Sequence, residues 1–137
     1  MWICLTDAFF SIVEHYDQQD KLVVRSRFKG DIEKVFSLDA KQVEYTPAND
    51  YCYRAVLART VVMEQMAQEV ERINYHNFKN EAHKQVDTES DYNRVSAYHQ
   101  VWQALCDAGD AGCYKMPKLT TKLDPTYDWI ADHTGSD

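Results

Sequence analysis

Three arginines lie in two stretches that alternate apolar and polar side chains, as β-strands do. In KLVVRSRF, which starts at position 21, this alternation places Arg25 and Arg27 on one side of a strand. Arg54 lies in a second alternating stretch, DYCYRAVLAR. If the two strands are neighbours, the guanidinium groups share one sheet face and can bind carboxylates or phosphates through paired hydrogen bonds. The alternative is that Glu14 and Glu44, on candidate partner strands, neutralise them in cross-strand ion pairs.

Acidic side chains dominate the second half of the chain. The net charge is −7, and residues 64–137 contribute most of it, with thirteen acids against seven bases. Such a surface favours a partner with a basic surface and makes direct nucleic-acid binding unfavourable, because phosphates require a basic footprint. The alternative is that the acids only keep a small protein soluble. The predicted partner-binding residues are Glu64, Glu69, Glu71, Glu81, Asp87, Glu89 and Asp91.

The remaining reactive side chains form no catalytic or metal-binding pattern. In EHYD, Glu14 and His15 are neighbours on a strand and point to opposite faces, so they form no acid–base pair. The five histidines and four cysteines lack the spacing of a zinc site. The four glycines form neither a phosphate-binding loop nor a nucleophile elbow. We therefore predict a protein that is not an enzyme and needs no cofactor or metal.

The apolar segments and the cysteines indicate a cytosolic protein that is not inserted in a membrane. No apolar run reaches the roughly 20 residues that a membrane helix needs, and the start, MWICLTDAFFSIVEHYD, has no basic leader. We expect reduced thiols, although Cys106 and Cys113 are close enough in sequence to close a small loop. Cys4 and Cys52 are predicted to be buried as small apolar residues.

The stretch INYHNFKNE, residues 73–81, has two interpretations. It is either a binding site rich in aromatic and amide groups or the corner between two helices. Tyr75 and Phe78 lie three positions apart, which lets both anchor such a corner in the core. Asparagines satisfy free backbone groups at helix ends. The corner accounts for every residue of the stretch and is the favoured interpretation.

Several strands and helices are predicted to position these side chains. WICLT and AFFSIVEHY form one bent strand or two short ones, and KLVVRSRF, KQVEYT and DYCYRAVLAR form further strands. Asp31 is expected to cap a short helix. A long helix follows Thr60, its predicted cap, with an apolar stripe from Val62 to Ile73. The last helix starts near Thr88, which has capping-box spacing to Asp91.

This order of elements predicts an α+β fold in a single domain. We expect an antiparallel sheet of about four strands with helices packed on one face, in a ββαββαα-like order. The domain is predicted to span residues 1–109, where Gly109 is well placed to end the last helix. The apolar residues of 110–137 show no regular spacing, and this segment is predicted to be an irregular C-terminal extension.

Four stretches, MWICLTDAFFSIV, VVRSRFKGDIEKVF, DYCYRAVLAR and INYHNFKN, together resemble a family of small uncharacterised proteins of proteobacterial genomes and mobile elements. The resemblance covers residues 1–105, and the chain departs from it at Thr6, Ser26, Ser37 and Asn74. It implies a bacterial or phage cytosol and assigns no functional residue. The matching positions are Met1–Trp2, Asp7–Phe9, Val24–Arg27, Val35–Phe36, Asp50–Tyr51, Tyr75, Asn77–Lys79 and Val101–Trp102.

Two functions follow as hypotheses from the two charged surfaces. The first is a phage or mobile-element protein that binds and occludes a host protein or nucleoprotein complex through its acidic surface, as anti-CRISPR inhibitors do. The second is an anion or nucleic-acid binding module that uses Arg25, Arg27 and Arg54. Either function is compatible with a homodimer, because an apolar helix face or an unpaired strand edge can be buried between two copies.

Overall fold

The computed structural model describes residues 1–109 of the 137-residue chain, and the predicted extension 110–137 lies outside the described residues. The α+β class is confirmed. The sheet has five antiparallel strands where about four were expected, because the apolar start forms two short strands. The elements are β1 (Trp2–Cys4), β2 (Phe9–Glu14), β3 (Lys21–Ser26), α1 (Asp31–Phe36), β4 (Glu44–Tyr45), β5 (Tyr53–Ala58), α2 (Arg59–Glu71), α3 (Phe78–Lys84) and α4 (Glu89–Ala108).

The strands lie side by side in the order β1-β2-β3-β5-β4, and every neighbouring pair is antiparallel. The centre of the sheet is the pairing of β3 with β5, which runs over six residue pairs from Lys21 opposite Ala58 to Ser26 opposite Tyr53. The two outer strands are short, with three residues in β1 and two in β4. The sheet is therefore longest in the middle and narrow at both edges.

The core forms where alternate residues of the central strands meet α1 and α2. One sheet face carries Phe10 and Val24, both fully buried. Helix α1 contributes Ile32 and Phe36 to the same cluster, and α2 contributes Val62. The rings of Phe10 and Phe36 meet edge to face with centroids 5.6 Å apart. The period-2 pattern of β3 and β5 thus turns one set of side chains towards the helices and the other set towards the second face.

Two predicted helix caps are wrong. Asp31 is the first residue of α1 rather than its cap; the N-cap is Gly30, whose φ of 89° suits a glycine. Helix α2 begins at Arg59 and has no side-chain cap, so Thr60 does not cap it. Strand β5 runs directly into α2, and the Arg59 backbone N–H is satisfied by the carbonyl oxygen of Asp20 at 2.7 Å. A distant backbone group therefore replaces the local cap.

The apolar stripe predicted on α2 does not remain buried along its length. Val62 is buried, but Val70 is 68% exposed and Ile73 in the following loop is 53% exposed. Helix α3 was not predicted; it begins after Asn77, whose side chain accepts a hydrogen bond from the Asn80 backbone N–H at 3.1 Å. This asparagine satisfies a free backbone group at a helix end, as expected.

The capping box of the last helix has the predicted partners. The Thr88 hydroxyl accepts a hydrogen bond from the Asp91 backbone N–H at 3.2 Å, and the Asp91 carboxylate accepts one from the Thr88 backbone N–H at 3.1 Å. Asp therefore performs at this position the reciprocal role that Glu or Gln usually performs.

The chain divides into two compact units, Met1–Ala97 and Tyr98–Asp137. The first contains the whole sheet, α1 to α3 and the start of α4. The described part of the second is the remainder of α4, in which the rings of His99 and Trp102 have centroids 6.0 Å apart. No helix among residues 1–109 is both long enough and apolar enough to cross a membrane.

The predicted burial of the two early cysteines is wrong for Cys4, which is exposed, and Cys52 is only partly buried. Cys4 lies on the short strand β1, the outermost strand on that side of the sheet within residues 1–109. The apolar residues around it in the sequence do not reveal that it lies at the edge of the sheet.

Candidate anion-binding site

The second face of the sheet carries a continuous row of side chains that crosses all five strands. Residues opposite one another in neighbouring strands lie on the same face, and the register connects one residue from each strand. We call this set the cross-strand row. Its members, from the β1 edge to the β4 edge, are Trp2, Ser11, Arg25, Arg54 and Glu44.

Arg25 and Arg54 are directly opposite each other in this row, and we call them the arginine pair. Opposed residues on antiparallel strands have Cβ atoms roughly 5 Å apart, so two positive charges are held side by side. Among residues 1–109, no carboxylate lies within ion-pair distance of either guanidinium group. Of the two acids expected to neutralise them, Glu14 pairs with Arg59 at 3.0 Å, and Glu44 lies opposite Arg54 without an ion pair.

Each arginine of the pair is positioned by one neutral hydrogen bond. Arg25 Nη2 donates to Ser11 Oγ at 2.7 Å, and Arg54 Nη2 donates to the Tyr51 carbonyl oxygen at 3.1 Å. The buried Tyr51 ring also lies 4.8 Å from the Arg25 guanidinium carbon. These contacts orient the guanidinium groups but supply no negative charge.

The arginine pair keeps hydrogen-bonding capacity that the described chain does not use. The Nε atoms of Arg25 and Arg54 are both buried and have no hydrogen-bond partner there. Buried donors without acceptors are costly, and like charges directly opposite on a sheet repel. An oxyanion bound at the pair would supply the missing negative charge, and it would reach the Nε atoms only if the side chains moved.

Arg27 differs from the other two predicted arginines. Its Nη2 atom lies 2.7 Å from the Asp50 carboxylate, and its Nε atom lies 3.3 Å from the same oxygen. The hydrogen bond with Asp50 is the main cause that raises the pKa of Arg27. Its guanidinium carbon also lies 4.2 Å from the Tyr51 ring centroid. The predicted set of three arginines is therefore an unneutralised pair beside one neutralised neighbour.

The acidic residues of the predicted partner surface are distributed over α2, α3, α4 and the turn before α4. Glu69, Glu81 and Asp91 each form an ion pair with a basic residue three positions along the chain, at 2.7 to 3.0 Å. The other four are exposed and form no ion pair among the described residues. These four are Glu64, Glu71, Asp87 and Glu89.

A groove of about 310 Å³ brings part of the acidic set together with the INYHNFKNE stretch. Glu69 and Glu81 line it, together with Tyr75 and the Asp7 turn between β1 and β2. Within the stretch, the rings of Tyr75 and Phe78 are 6.4 Å apart, and both are partly buried, as the corner interpretation expected. The same stretch thus forms a helix corner and one wall of a groove.

Three residues of the site were not among those predicted. Tyr51 follows Asp50 directly, and its burial between arginines depends on the folded loop. Trp2 lies at the β1 end of the cross-strand row, and its ring meets Phe9 edge to face at 6.0 Å. Ser11 could have been identified from the sequence, because it is the one polar residue in the stretch AFFSIV. A small hydroxyl within an apolar strand indicates a buried hydrogen-bond acceptor.

Among residues 1–109, no group of three or more His, Cys, Asp or Glu side chains is arranged to hold a metal ion. Comparisons with protein-family models, with curated proteins and with solved structures found no match. The function is therefore argued from the geometry of the site.

Proposed function

We propose that this protein is a non-enzymatic binding protein that recognises an oxyanion, phosphate or carboxylate, with the arginine pair. The observation that supports the proposal is the juxtaposition of Arg25 and Arg54 without a carboxylate partner in the described chain. Guanidinium groups match both anions through parallel N–H donors, which give charge-assisted hydrogen bonds. We place the protein in the cytosol, as its sequence indicates, either as a monomer or as a homodimer.

The energetics of the pair support binding over a purely structural role. Cross-strand ion pairs contribute about 0.2 to 1 kcal/mol each, and like charges in the same positions cost a comparable amount. Glu44 is opposite Arg54, yet it forms no ion pair with the arginine pair, while Glu14 lies on the other face of the sheet and pairs with Arg59. A face selected only for stability would use Glu44. The observed arrangement instead leaves two charges for a ligand.

The guanidinium groups of the arginine pair are also preorganised for binding. The hydrogen bonds of the pair to Ser11 and to the Tyr51 carbonyl hold both guanidinium groups before any anion arrives. The Tyr51 ring limits the motion of Arg25 further. Binding then costs less side-chain entropy, which is about 0.5 to 1.5 kcal/mol for each long side chain that would otherwise be immobilised.

Thermal and urea unfolding in inorganic phosphate at constant ionic strength test this proposal. A ligand at 100 times its dissociation constant stabilises the folded state by about 2.7 kcal/mol, so a saturable stabilisation is expected. Arg54→Gln should abolish it. Arg72→Gln is the matched control, because Arg72 is exposed and paired with Glu69 at 2.9 Å, and it should leave the stabilisation intact.

The same variants give a second readout without ligand. Arg54→Gln removes one hydrogen bond but also removes the repulsion from Arg25, so its unfolding free energy should stay within about 1 kcal/mol of the wild type. Phosphate stabilisation that survives in Arg54→Gln would contradict the proposal. So would equal stabilisation by chloride at the same ionic strength.

The acidic surface supports a second candidate function, because Glu69 and Glu81 line one groove with Tyr75. In this function the protein occludes a basic host surface, as an anti-CRISPR or other counter-defence inhibitor does. A pull-down from bacterial lysate should then retain a basic protein at low salt and lose it at high salt, because exposed charges are screened. Retention that is equal for the wild type and for Glu64→Gln/Glu69→Gln/Glu71→Gln/Glu81→Gln would contradict this candidate.

A further inference from the structure

The cross-strand row places an aromatic platform at a defined distance from the arginine pair. Trp2 is separated from Arg25 by the single strand β2, on which Ser11 occupies the row. Neighbouring strands are about 4.8 Å apart, so the Trp2 and Arg25 positions are about 10 Å apart across the sheet. Ser11 is small and buried, and it accepts a hydrogen bond from Arg25 Nη2, so the row itself has no bulky side chain between Trp2 and Arg25.

Trp2 is suited to stacking. It is 65% exposed and rests against Phe9 at an interplanar angle of 72°. On the same sheet face, Val13 of β2 and Val56 of β5 are also exposed. Exposed aromatics beside cationic side chains are the elements with which sheets bind nucleotide bases and their phosphates.

Charge selects the kind of anion. The arginine pair presents two positive charges, which a single carboxylate neutralises only by half. A phosphate monoester carries about −1.5 to −2 charges at pH 7 and three acceptor oxygens, so it can satisfy both guanidinium groups. Beyond Arg54 the row ends in the exposed Glu44, which repels any further phosphate. The net charge of −7 likewise opposes a long polyanion.

We infer that the cross-strand row binds one nucleotide unit, with its base stacked on Trp2 and its terminal phosphate monoester held by Arg25 and Arg54. This inference rests on the proposed function, since it needs the arginine pair to bind oxyanions. The same chemistry occurs in a free nucleoside monophosphate and in the 5′-phosphorylated end of a single strand. Glu44 and the acidic second half favour a terminal phosphate over internal phosphodiesters.

Calorimetric titration with AMP, adenosine and inorganic phosphate tests the two contacts separately. AMP should bind at least about tenfold more tightly than either of its parts. Trp2→Ala should weaken AMP about tenfold, the effect of losing one stacked base, and leave inorganic phosphate unchanged. Arg54→Gln should remove binding of both. Tyr16→Ala is the matched control, because Tyr16 is an aromatic residue that is 90% exposed elsewhere, and it should change nothing.

The outcomes separate this inference from the proposed function. If phosphate binds and AMP binds no more tightly, or if Trp2→Ala has no effect, the nucleotide inference is wrong and anion binding stands. If neither ligand binds, both are wrong.

A 5′-phosphorylated tetranucleotide that binds more tightly than AMP, with no binding of its 5′-hydroxyl form, identifies the strand end as the source. Tighter binding of a phosphotyrosine peptide than of both nucleotide probes would overturn the inference in favour of a protein ligand.

Discussion

Arg94 and the arginine pair represent two opposite environments for the same side chain. Arg94 is only 3% exposed, and it lies between two carboxylates, with Nη2 2.6 Å from Asp31 and Nη1 2.7 Å from Asp91. Its guanidinium carbon also lies 4.8 Å from the Phe28 ring centroid. The arginine pair is less buried, yet it has no carboxylate partner in the described chain.

The contrast continues in the groups around Asp31, the main partner of Arg94. The Asp31 carboxylate also accepts hydrogen bonds from the Phe9 backbone N–H at 2.9 Å and from the Ser26 hydroxyl at 3.4 Å. Burial raises the pKa of Asp31, although Phe9 and Arg94 act in the opposite direction. This chain therefore surrounds an arginine with acids where the arginine supports the fold. The arginine pair, by contrast, forms no ion pair among residues 1–109, although Glu44 lies opposite Arg54.

The largest expected effect is that of Arg94→Ala. Removing one partner of a buried ion pair leaves the Asp31 charge uncompensated, which costs about 3 to 5 kcal/mol. Urea unfolding should show this loss, whereas Arg54→Gln should stay within about 1 kcal/mol of the wild type. Asp31→Asn in the Arg94→Ala background should recover part of the loss, because the buried charge is gone. Equal effects of Arg94→Ala and Arg54→Gln would remove the distinction between the two environments.

A smaller effect on folding stability is expected at low pH, through the Asp91 carboxylate. Hydrogen bonds from Thr88 and then from Arg94 lower the pKa of Asp91 from 3.8 to about 2. Because its pKa is lower in the folded state, the ionised carboxylate stabilises the fold above pH 3.8, and this contribution is lost as the pH falls towards 2. The stability difference between the wild type and Asp91→Asn should therefore shrink over that interval. A difference that is independent of pH would show that Asp91 acts through neutral hydrogen bonds alone.

Periodicity predicted the parts of the fold that depend on neighbouring residues in the sequence. The alternation in β3 and β5 predicted that Arg25 and Arg54 would share a face if the two strands were neighbours, and the strands do pair. The Thr88 capping box was also predictable, since both partners lie within one helical turn.

Features that depend on distant partners were not predictable. Arg94 and Asp31 are 63 positions apart, and no pattern in either segment connects them. Val70 is exposed because the strands and helices that cover α2 do not extend as far as this residue. The apolar pattern in the α2 sequence does not reveal where that cover ends. The ion pair of Glu14 with Arg59 joins residues 45 positions apart, and it depends on how β5 leads into α2. The arginines of the candidate site were therefore predictable, but their lack of an ion pair among residues 1–109 was not.

The narrow edges of the sheet have a consequence for aggregation. Strand β4 pairs over two residues and β1 over three, so each edge offers few free backbone groups to a strand from another molecule. Long unpaired edges are the usual template for intermolecular β-sheet growth. The two outermost strands therefore offer little template for sheet growth, while apolar side chains such as Trp2 and Val56 stay exposed on the sheet face.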